Sequence, residues 1–204
     1  MKRKRHYTTY LAGPMQAVAH SGAGWRVFFT EMLKKYNVDV QNPVKSEKDK
    51  TGLSAAGSKV LIKKLQILII TNGDQEARRK FLTLLDRMVA YDFQMVRRCH
   101  FIIAQVIENV VSTGTQEEIM EASKRRIPVY VIYNGRPEYF PAWLLRRVLR
   151  SGGRVFLERK KNGFKECLNF LRNKWELEEL EQGGTCYQAK AKKDKKAKRA
   201  KRVR

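Results

Sequence analysis

The sequence predicts a single α/β domain built on a doubly wound sheet of five parallel strands. Short apolar runs alternate with helical patterns along the chain, which is the order that β-α-β crossovers produce. Two of the runs, FIIAQVI (101–107) and IPVYVIY (127–133), are continuously apolar, as expected of parallel strands that are buried on both faces. The 204 residues are 43% apolar, which is enough for one well-formed core but not for two large domains.

The first third of the chain predicts a strand, a helix and a second strand. The first strand, HYTTYLA (6–12), ends at Gly13 and Pro14. A helix follows, because one apolar face with spacing i, i+3, i+4 and i+7 is formed by Trp25, Phe28, Phe29, Met32, Leu33 and Tyr36. The second strand, NVDVQNP (37–43), is short and ends at a proline.

The middle of the chain is less regular. Residues 44–58 have the composition of a polar loop, and the apolar segment 59–70 has a pattern that fits either a helix or a strand. A helical pattern from Gln75 to Cys99 then leads into the third strand.

The remaining elements complete the alternation of strands and helices. Helices are predicted at 116–125, at 141–150 with Pro141 in the first turn, and at 163–181. The last two helices flank RVFLE (154–158), a weaker fifth strand. Gly183 and Gly184 close the folded part.

Positive charge is concentrated at the two ends of the chain. Of the net charge of +23, residues 2–5 carry +4 and residues 188–204 carry +9. We therefore expect a folded domain at 6–182, a basic N-terminal extension at 1–5 and a disordered polybasic tail at 183–204. Such a tail attracts RNA or DNA through counterion release, but a solubilising or targeting segment has the same composition, and the sequence leaves both open.

Several classes of protein are disfavoured by composition. The three cysteines are widely spaced and the three histidines are scattered singly, which argues against a disulfide framework, a metal site or a metal cofactor. No apolar run approaches the ~20 residues that cross a bilayer, and the N-terminus is too polar for a secretory signal. We expect a protein of the cytoplasm, or of the host cytoplasm if the chain is viral.

The segment STGTQEEI (112–119) allows two interpretations. Thr115 and Glu118 have the spacing of a capping box, in which the hydroxyl and the carboxylate satisfy free N–H groups at a helix start. In a sheet with flavodoxin-like strand order, however, the loops 13–16 and 108–115 would flank the ligand crevice. There Ser112 offers a hydroxyl, Gly114 permits close approach, and the helix N-terminus favours an anion.

Asp92 is a second candidate, because a carboxylate in an apolar stripe is costly unless it is paired or protonated. The stripe consists of Phe81, Leu85, Met88, Val89, Met95 and Val96. Asp92 could cap a short final helix that begins at Phe93, or act as a general acid. Asp92 and Glu118 lie on segments that flank the third strand, and two carboxylates about 5 Å apart are the arrangement of retaining glycosyl chemistry.

Four segments together resemble the nucleoside 2-deoxyribosyltransferase family, most closely its short phage-type members: YLAGPM (10–15), VQNP (40–43), YDFQMVRRCHFIIAQV (91–106) and STGTQEEIMEASKRRIPVYVI (112–132). The resemblance covers about residues 7–172. It implies a flavodoxin-like fold, no cofactor, and cleavage or exchange of the N-glycosidic bond of a nucleoside. It further implies that Glu118 is the nucleophile, that Asp92 assists protonation of the departing base, and that Gly13 and Pro14 line the pocket.

Two positions depart from the family pattern. Six residues before the nucleophile the transferases usually carry an aspartate, whereas this chain has Ser112, as do related nucleotide N-glycosidases, which hold a 5′-phosphate there. This favours a nucleoside 5′-monophosphate as substrate. His100 replaces an aspartate that often precedes the third strand. The family also commonly forms homo-oligomers, to which Trp143 or the 163–181 helix could contribute.

Two other functions are weighed against this one. A phosphoribohydrolase of the lysine-decarboxylase-like group shares the GTxxE pattern but has a glycine pair where this chain has Val110 and Val111. A basic nucleic-acid-binding protein that keeps the fold without catalysis would account for the charge. Against it, the body has no evident aromatic and basic platform, because its candidate rings lie in runs that predict buried strands: Tyr7, Tyr10, Phe101 and Tyr130.

Overall fold

The computed structural model describes residues 5–14, 23–45, 51–158 and 162–180. Five strands form one sheet: β1 (Tyr7–Ala12), β2 (Val38–Gln41), β3 (Phe101–Ile107), β4 (Val129–Asn134) and β5 (Arg154–Leu157). Six α-helices are present in the described residues: α1 (Ala23–Lys34), α2 (Ala55–Asn72), α3 (Gln75–Arg97), α4 (Thr113–Lys124), α5 (Ala142–Arg150) and α6 (Gly163–Lys174). A short 3₁₀ helix, Pro137–Tyr139, precedes α5.

All neighbouring strands are parallel, in the order β2-β1-β3-β4-β5. This confirms the predicted fold class, a flavodoxin-like doubly wound sheet. The chain moves outward from β1 to β2 and then crosses back to β3, so the order reverses between β1 and β3. The carboxyl ends of these two strands, at Ala12 and Ile107, therefore flank the crevice in which such sheets bind ligands.

The core has one layer on each face of the sheet, because successive strand residues point to opposite faces. On one face, Leu11 and Ile103 pack with Phe29 of α1 and Leu171 of α6. On the other face, the buried residues come from the strands, α3, α4 and α5: Tyr10, Ile102, Val96, Ile119, Ala122 and Val148. Tyr10 thus faces α3 and α4, the two helices that carry the predicted carboxylates.

Helix α2 lies where the sequence predicts a polar loop followed by an unassigned segment. It begins at Ala55, where the Ser54 side chain caps it by accepting from the N–H of Gly57. It ends at Gly73, whose φ of 63° is left-handed and suits a glycine C-cap. The prediction of a loop over 44–58 is wrong for its last four residues, and the segment 59–70 is a helix.

The ends of other predicted elements also shift. Helix α6 stops at Lys174 instead of 181, because the chain turns at Trp175 and Glu176, whose φ of 50° is left-handed, and then packs against the body. Leu177 is buried in the core, and the Tyr36 hydroxyl donates to Glu179 at 2.9 Å. The N-terminal residues 1–4 and the residues from 181 onward, which include the predicted disordered tail, lie outside the described residues.

Glu121 joins α3 to α4. Its Oε1 accepts from the Nε atoms of Arg125 and Arg97, each at 2.7 Å, and the side chain is only 10% exposed. These two hydrogen bonds, that from Arg125 first, lower the pKa of the carboxyl. We expect Glu121→Gln to lower the free energy of unfolding at pH 7 by about 1–3 kcal/mol, because two charge-assisted hydrogen bonds lose their anion.

The pH dependence of this effect has a definite sign. Since the folded pKa lies below the unfolded value of 4.5, the stabilisation is complete above about pH 4.5 and is lost as the pH falls through the folded pKa. Urea unfolding at pH 7 and at pH 3 should therefore show a gap in the free energy of unfolding between wild type and Glu121→Gln that narrows in acid. The exposed Glu178→Gln is the control, and a gap as wide at pH 3 as at pH 7 would contradict the assignment.

Candidate active site

Glu118 lies in the second turn of α4 and is bonded to β1. Its Oε1 accepts a hydrogen bond from the Tyr10 hydroxyl at 2.6 Å. Tyr10 is fully buried, whereas Glu118 is partly exposed. The bond fixes the carboxylate beside the carboxyl-terminal half of β1, at the strand-order reversal.

The predicted capping box of Thr115 and Glu118 is not formed. Helix α4 begins at Thr113 with Ser112 as its N-cap, so Glu118 is too far along the helix to reach back to the cap. The hydroxyls of Ser112 and Thr115 instead bond to each other at 2.7 Å. In the described part of the chain, the Ser112 side chain makes no capping bond to the first turn of α4. The N–H groups of that turn are therefore not satisfied by the Ser112 side chain.

Asp92 lies inside α3, which continues without a break from Gln75 to Arg97. The predicted helix start at Phe93 is therefore wrong, and Asp92 is not an N-cap. Its side chain is half-buried, on the part of α3 that packs against the sheet next to Met95 and Val96.

The two carboxylates act on the same buried phenol. Burial raises the pKa of Tyr10 well above its usual value, and the negative charges of Glu118 and then Asp92 raise it further. The hydroxyl therefore stays protonated and remains a donor to Glu118. Glu118 is thus bonded to Tyr10, and the charge of Asp92 lies within electrostatic reach of the same hydroxyl.

Arg26 supplies the positive charge of this site. It projects from α1, is fully buried, and donates to the carbonyl oxygens of Gly13 at 2.8 Å and Leu11 at 3.4 Å. Burial lowers the pKa of Arg26 to about 10, and the negative charges of Glu118 and Asp92 oppose this change. The guanidinium is therefore still cationic at neutral pH and offsets the two carboxylates.

Gly13 is required by the close approach of α1 to the end of β1. A Cβ atom at this position would lie 2.8 Å from the Trp25 ring and 3.3 Å from the Arg26 guanidinium. The Trp25 ring lies 4.8 Å from that guanidinium. Gly13 therefore contributes to the site by accepting from Arg26, and a glycine is needed here because a larger residue would clash with Trp25.

Sequence reasoning missed Tyr10 and Arg26, although a signal for each was present. The sequence correctly predicts that Tyr10 lies in a buried strand. A buried tyrosine hydroxyl usually has a hydrogen-bond partner, and this was the signal for its bond to Glu118. Arg26 stands three and seven residues before Phe29 and Leu33, on the buried face of α1. A cation on an apolar helix face indicates a buried acidic partner.

A cleft of about 650 Å³, a volume that includes the solvent at its open mouth, lies at the start of α4. Three of the predicted binding residues line it: Pro14, Ser112 and Thr115. Gly114 is not among the lining residues, although a Cβ atom there would meet open space. Glu118 and Asp92 do not line the cleft either. The cleft reaches the first turn of α4, and Glu118 lies one turn further along.

The walls of this cleft come from the ends of β3 and β4 and from the segment before α5. Tyr133 and Tyr139 contribute rings, and Gln105 and Gln116 contribute amides. The Tyr133 hydroxyl is buried and has no hydrogen-bond partner within the described segments. A polar ligand atom in the cleft could satisfy that hydroxyl.

Within the described residues, no three His, Cys, Asp or Glu side chains cluster as a metal site requires. A search of the same residues finds no helix with the length and apolar character needed to cross a membrane.

Comparison with solved structures gives distant matches that span nearly the whole of each matched chain. A conserved protein from Enterococcus faecalis V583 is 13% identical, with a TM-score of 0.53 over 83% of this chain and 99% of that one. A 2-deoxyribosyltransferase from Bacillus psychrosaccharolyticus is 11% identical, with a TM-score of 0.48 over 85% and 99%. A CMP N-glycosidase from Clostridium botulinum is 16% identical, with a TM-score of 0.44 over 80% and 98%.

These likenesses concern the fold. No family model matches the sequence, and no curated protein is similar enough to count as a relative.

Proposed function

We propose that this protein cleaves or exchanges the N-glycosidic bond of a nucleoside or its 5′-monophosphate, with Glu118 as nucleophile and Asp92 as proton donor. The observation that carries the proposal is the hydrogen bond from buried Tyr10 to Glu118, with the charge of Asp92 acting on the same phenol. Retaining glycosyl transfer uses two carboxyl groups, one as nucleophile and one as acid and base, and Glu118 and Asp92 are the two acidic groups whose charges act on Tyr10.

The reaction would proceed in two steps. The step requires Asp92 in its protonated form when the substrate is bound. Glu118 attacks the anomeric carbon and the C–N bond breaks. Its electron pair leaves with the base, which takes the proton of Asp92 and leaves that group as a carboxylate. Water or a second base then displaces Glu118 from the glycosyl intermediate and gives up a proton to the Asp92 carboxylate, which restores both groups. Tyr10 holds the attacking carboxylate of Glu118 in place, and the Arg26 cation offsets the negative charge of that carboxylate.

The cleft supports a phosphorylated substrate. Ser112 and Thr115 present hydroxyls at the first turn of α4, where backbone N–H groups and the helix dipole favour an anion. Gly114 lies in the same turn without any side chain within 4 Å of a Cβ position, so a ligand can approach the backbone. If a 5′-phosphate binds at this turn, the attached sugar would point toward Glu118, which lies one turn further along α4.

Base release from a panel of nucleosides and their 5′-monophosphates, followed by chromatography, is the experiment that tests the reaction. Release from at least one substrate is expected, with the monophosphate preferred over its nucleoside. If no member of the panel loses its base, with or without an added acceptor base, the proposal fails, and Tyr10, Arg26, Asp92 and Glu118 form a structural network.

Ser112→Ala separates the phosphate site from the reaction. We expect kcat/KM for the 5′-monophosphate to fall about 10- to 100-fold, because a hydrogen bond to a charged group is lost, while the nucleoside value stays near wild type. Thr113→Ala is the matched control, since Thr113 is exposed and does not line the cleft. An equal loss on both substrates would contradict a phosphate role for Ser112.

A further inference from the structure

The segment between β4 and β5 exposes two aromatic rings. Tyr139 is 53% exposed and Trp143 is 77% exposed. The four rings considered in the sequence analysis are buried, as expected: Tyr7, Tyr10, Phe101 and Tyr130. Tyr139 and Trp143 were not among those four rings, and they lie on a different element.

Arginines accompany these rings. The Arg136 guanidinium lies 3.9 Å from the centre of the Tyr139 ring. On α5, Trp143, Arg146 and Arg150 follow each other at i, i+3 and i+7, so they share one exposed face. The opposite face of α5 is buried in the core through Leu144 and Val148. The five exposed side chains, which we term the α5 face, are Arg136, Tyr139, Trp143, Arg146 and Arg150.

Charge on this part of the chain is strongly positive. Residues 136–150 contain four arginines and a single acidic residue, Glu138. Arg136 also pairs with Glu108 at 3.4 Å, but the arginines of α5 show no ion pair with an acidic side chain of the described residues. Arginine planes beside exposed rings are the combination that binds nucleic-acid strands, through backbone charge and base stacking together.

We propose that the α5 face binds single-stranded nucleic acid. Bases stack on Trp143 and on the Tyr139 ring, and Arg146 and Arg150 contact the phosphates. A single strand fits better than a duplex, because bases must be unstacked from their neighbours before they can lie on a protein ring. A second copy of the chain fits less well, since two such faces carry like charge and the chain has a net charge of +23.

The α5 face lies beside the mouth of the cleft. Tyr139 belongs both to the α5 face and to the lining of the cleft. Leu144, on the buried side of α5, also lines the cleft. A strand on the α5 face would therefore run along the rim of the cleft. The surface itself uses neither Glu118 nor Asp92, so binding should not require the proposed reaction.

Tryptophan fluorescence reports directly on the proposed stacking. Of the three tryptophans, Trp25 is buried, and Trp175 is half-buried with its Nε1 donating to Tyr130. Titration of the full-length protein with a 15-nucleotide oligomer of mixed sequence should quench Trp143. Trp143→Ala should remove the quenching and weaken binding about tenfold, whereas Trp143→Phe should retain most of the affinity.

Charge reversal distinguishes this face from the basic tail, which is present in every variant. Fluorescence anisotropy should show a loss of about 100-fold or more for the double variant Arg146→Glu, Arg150→Glu. The control double variant Lys63→Glu, Lys64→Glu changes the net charge equally at exposed positions of α2 and should lose far less. Circular dichroism melting verifies that each variant is folded.

Three results would overturn the proposal. Equal losses for the two double variants would assign binding to net charge alone. Unchanged Trp143 fluorescence at saturation would exclude stacking. A change of oligomeric state in Trp143→Ala, seen by analytical ultracentrifugation with nucleic-acid affinity unaltered, would identify the face as a contact between protein copies.

Discussion

Replacement of Glu118 by glutamine should abolish base release and leave the protein folded. The amide oxygen still accepts the hydrogen bond from Tyr10, so the contact between α4 and β1 is retained. An amide cannot attack the anomeric carbon, however, and loss of a nucleophile typically costs at least about 10⁴-fold in kcat. The expected result is therefore a protein with a near-normal melting temperature and no detectable turnover.

Glu117→Gln is the matched control for this variant. Glu117 immediately precedes Glu118 on α4 and is similarly half-buried, but it makes no hydrogen bond to Tyr10. It should keep wild-type activity. If Glu117→Gln is inactive and Glu118→Gln is active, the assignment of the nucleophile is wrong. Asp92→Asn should fall between these two, with kcat reduced about 10²- to 10⁴-fold by loss of the proton donor.

Arg26→Met should have the largest effect on stability. Methionine fills a similar volume, but two buried carbonyl oxygens lose their donor and the carboxylates lose their buried cation. Removal of one partner from a buried charge network costs about 3–5 kcal/mol in the free energy of unfolding. Chemical denaturation at pH 7 measures this loss.

Two further variants test whether the loss of stability comes from removing the buried guanidinium. Arg26→Lys retains the charge without the planar fork of donors, so it should recover only part of the stability. Arg87→Met removes an exposed arginine from α3 and should change the free energy of unfolding by less than about 0.5 kcal/mol. If Arg26→Met is as stable as Arg87→Met, the buried guanidinium does not offset the carboxylates as described.

The architecture was accessible from the sequence because its strands are unusually clear. Continuous apolar runs in β3 and β4 predict central parallel strands, and the helical spacing of Trp25, Phe29 and Leu33 predicts α1. Helix α2 was not assigned, because Ile67 and Ile70 are exposed and its apolar residues therefore do not mark one buried face. Propensity alone does not decide between helix and strand for such a segment.

The candidate site was only partly accessible. The motif around Glu118 and the apolar surroundings of Asp92 indicated two carboxylates, and in the structure the charges of both act on Tyr10. The capping interpretations of Thr115 and Asp92 failed because helix boundaries depend on packing as well as on local spacing. The spacing of Arg26 placed it on the buried face of α1, but not its partners, which are carbonyl groups and carboxylates far away in the sequence.

The hydrogen bond between Tyr10 and Glu118 joins residues 108 positions apart in the chain. The site also needs α1 and α3, so its four side chains meet only after β1 has been inserted between β2 and β3. Contacts of such long range form late, because the loop-closure entropy is lost before they contribute. A partly synthesised or partly unfolded chain therefore has no assembled candidate site, because the four side chains come together only when the central sheet is complete.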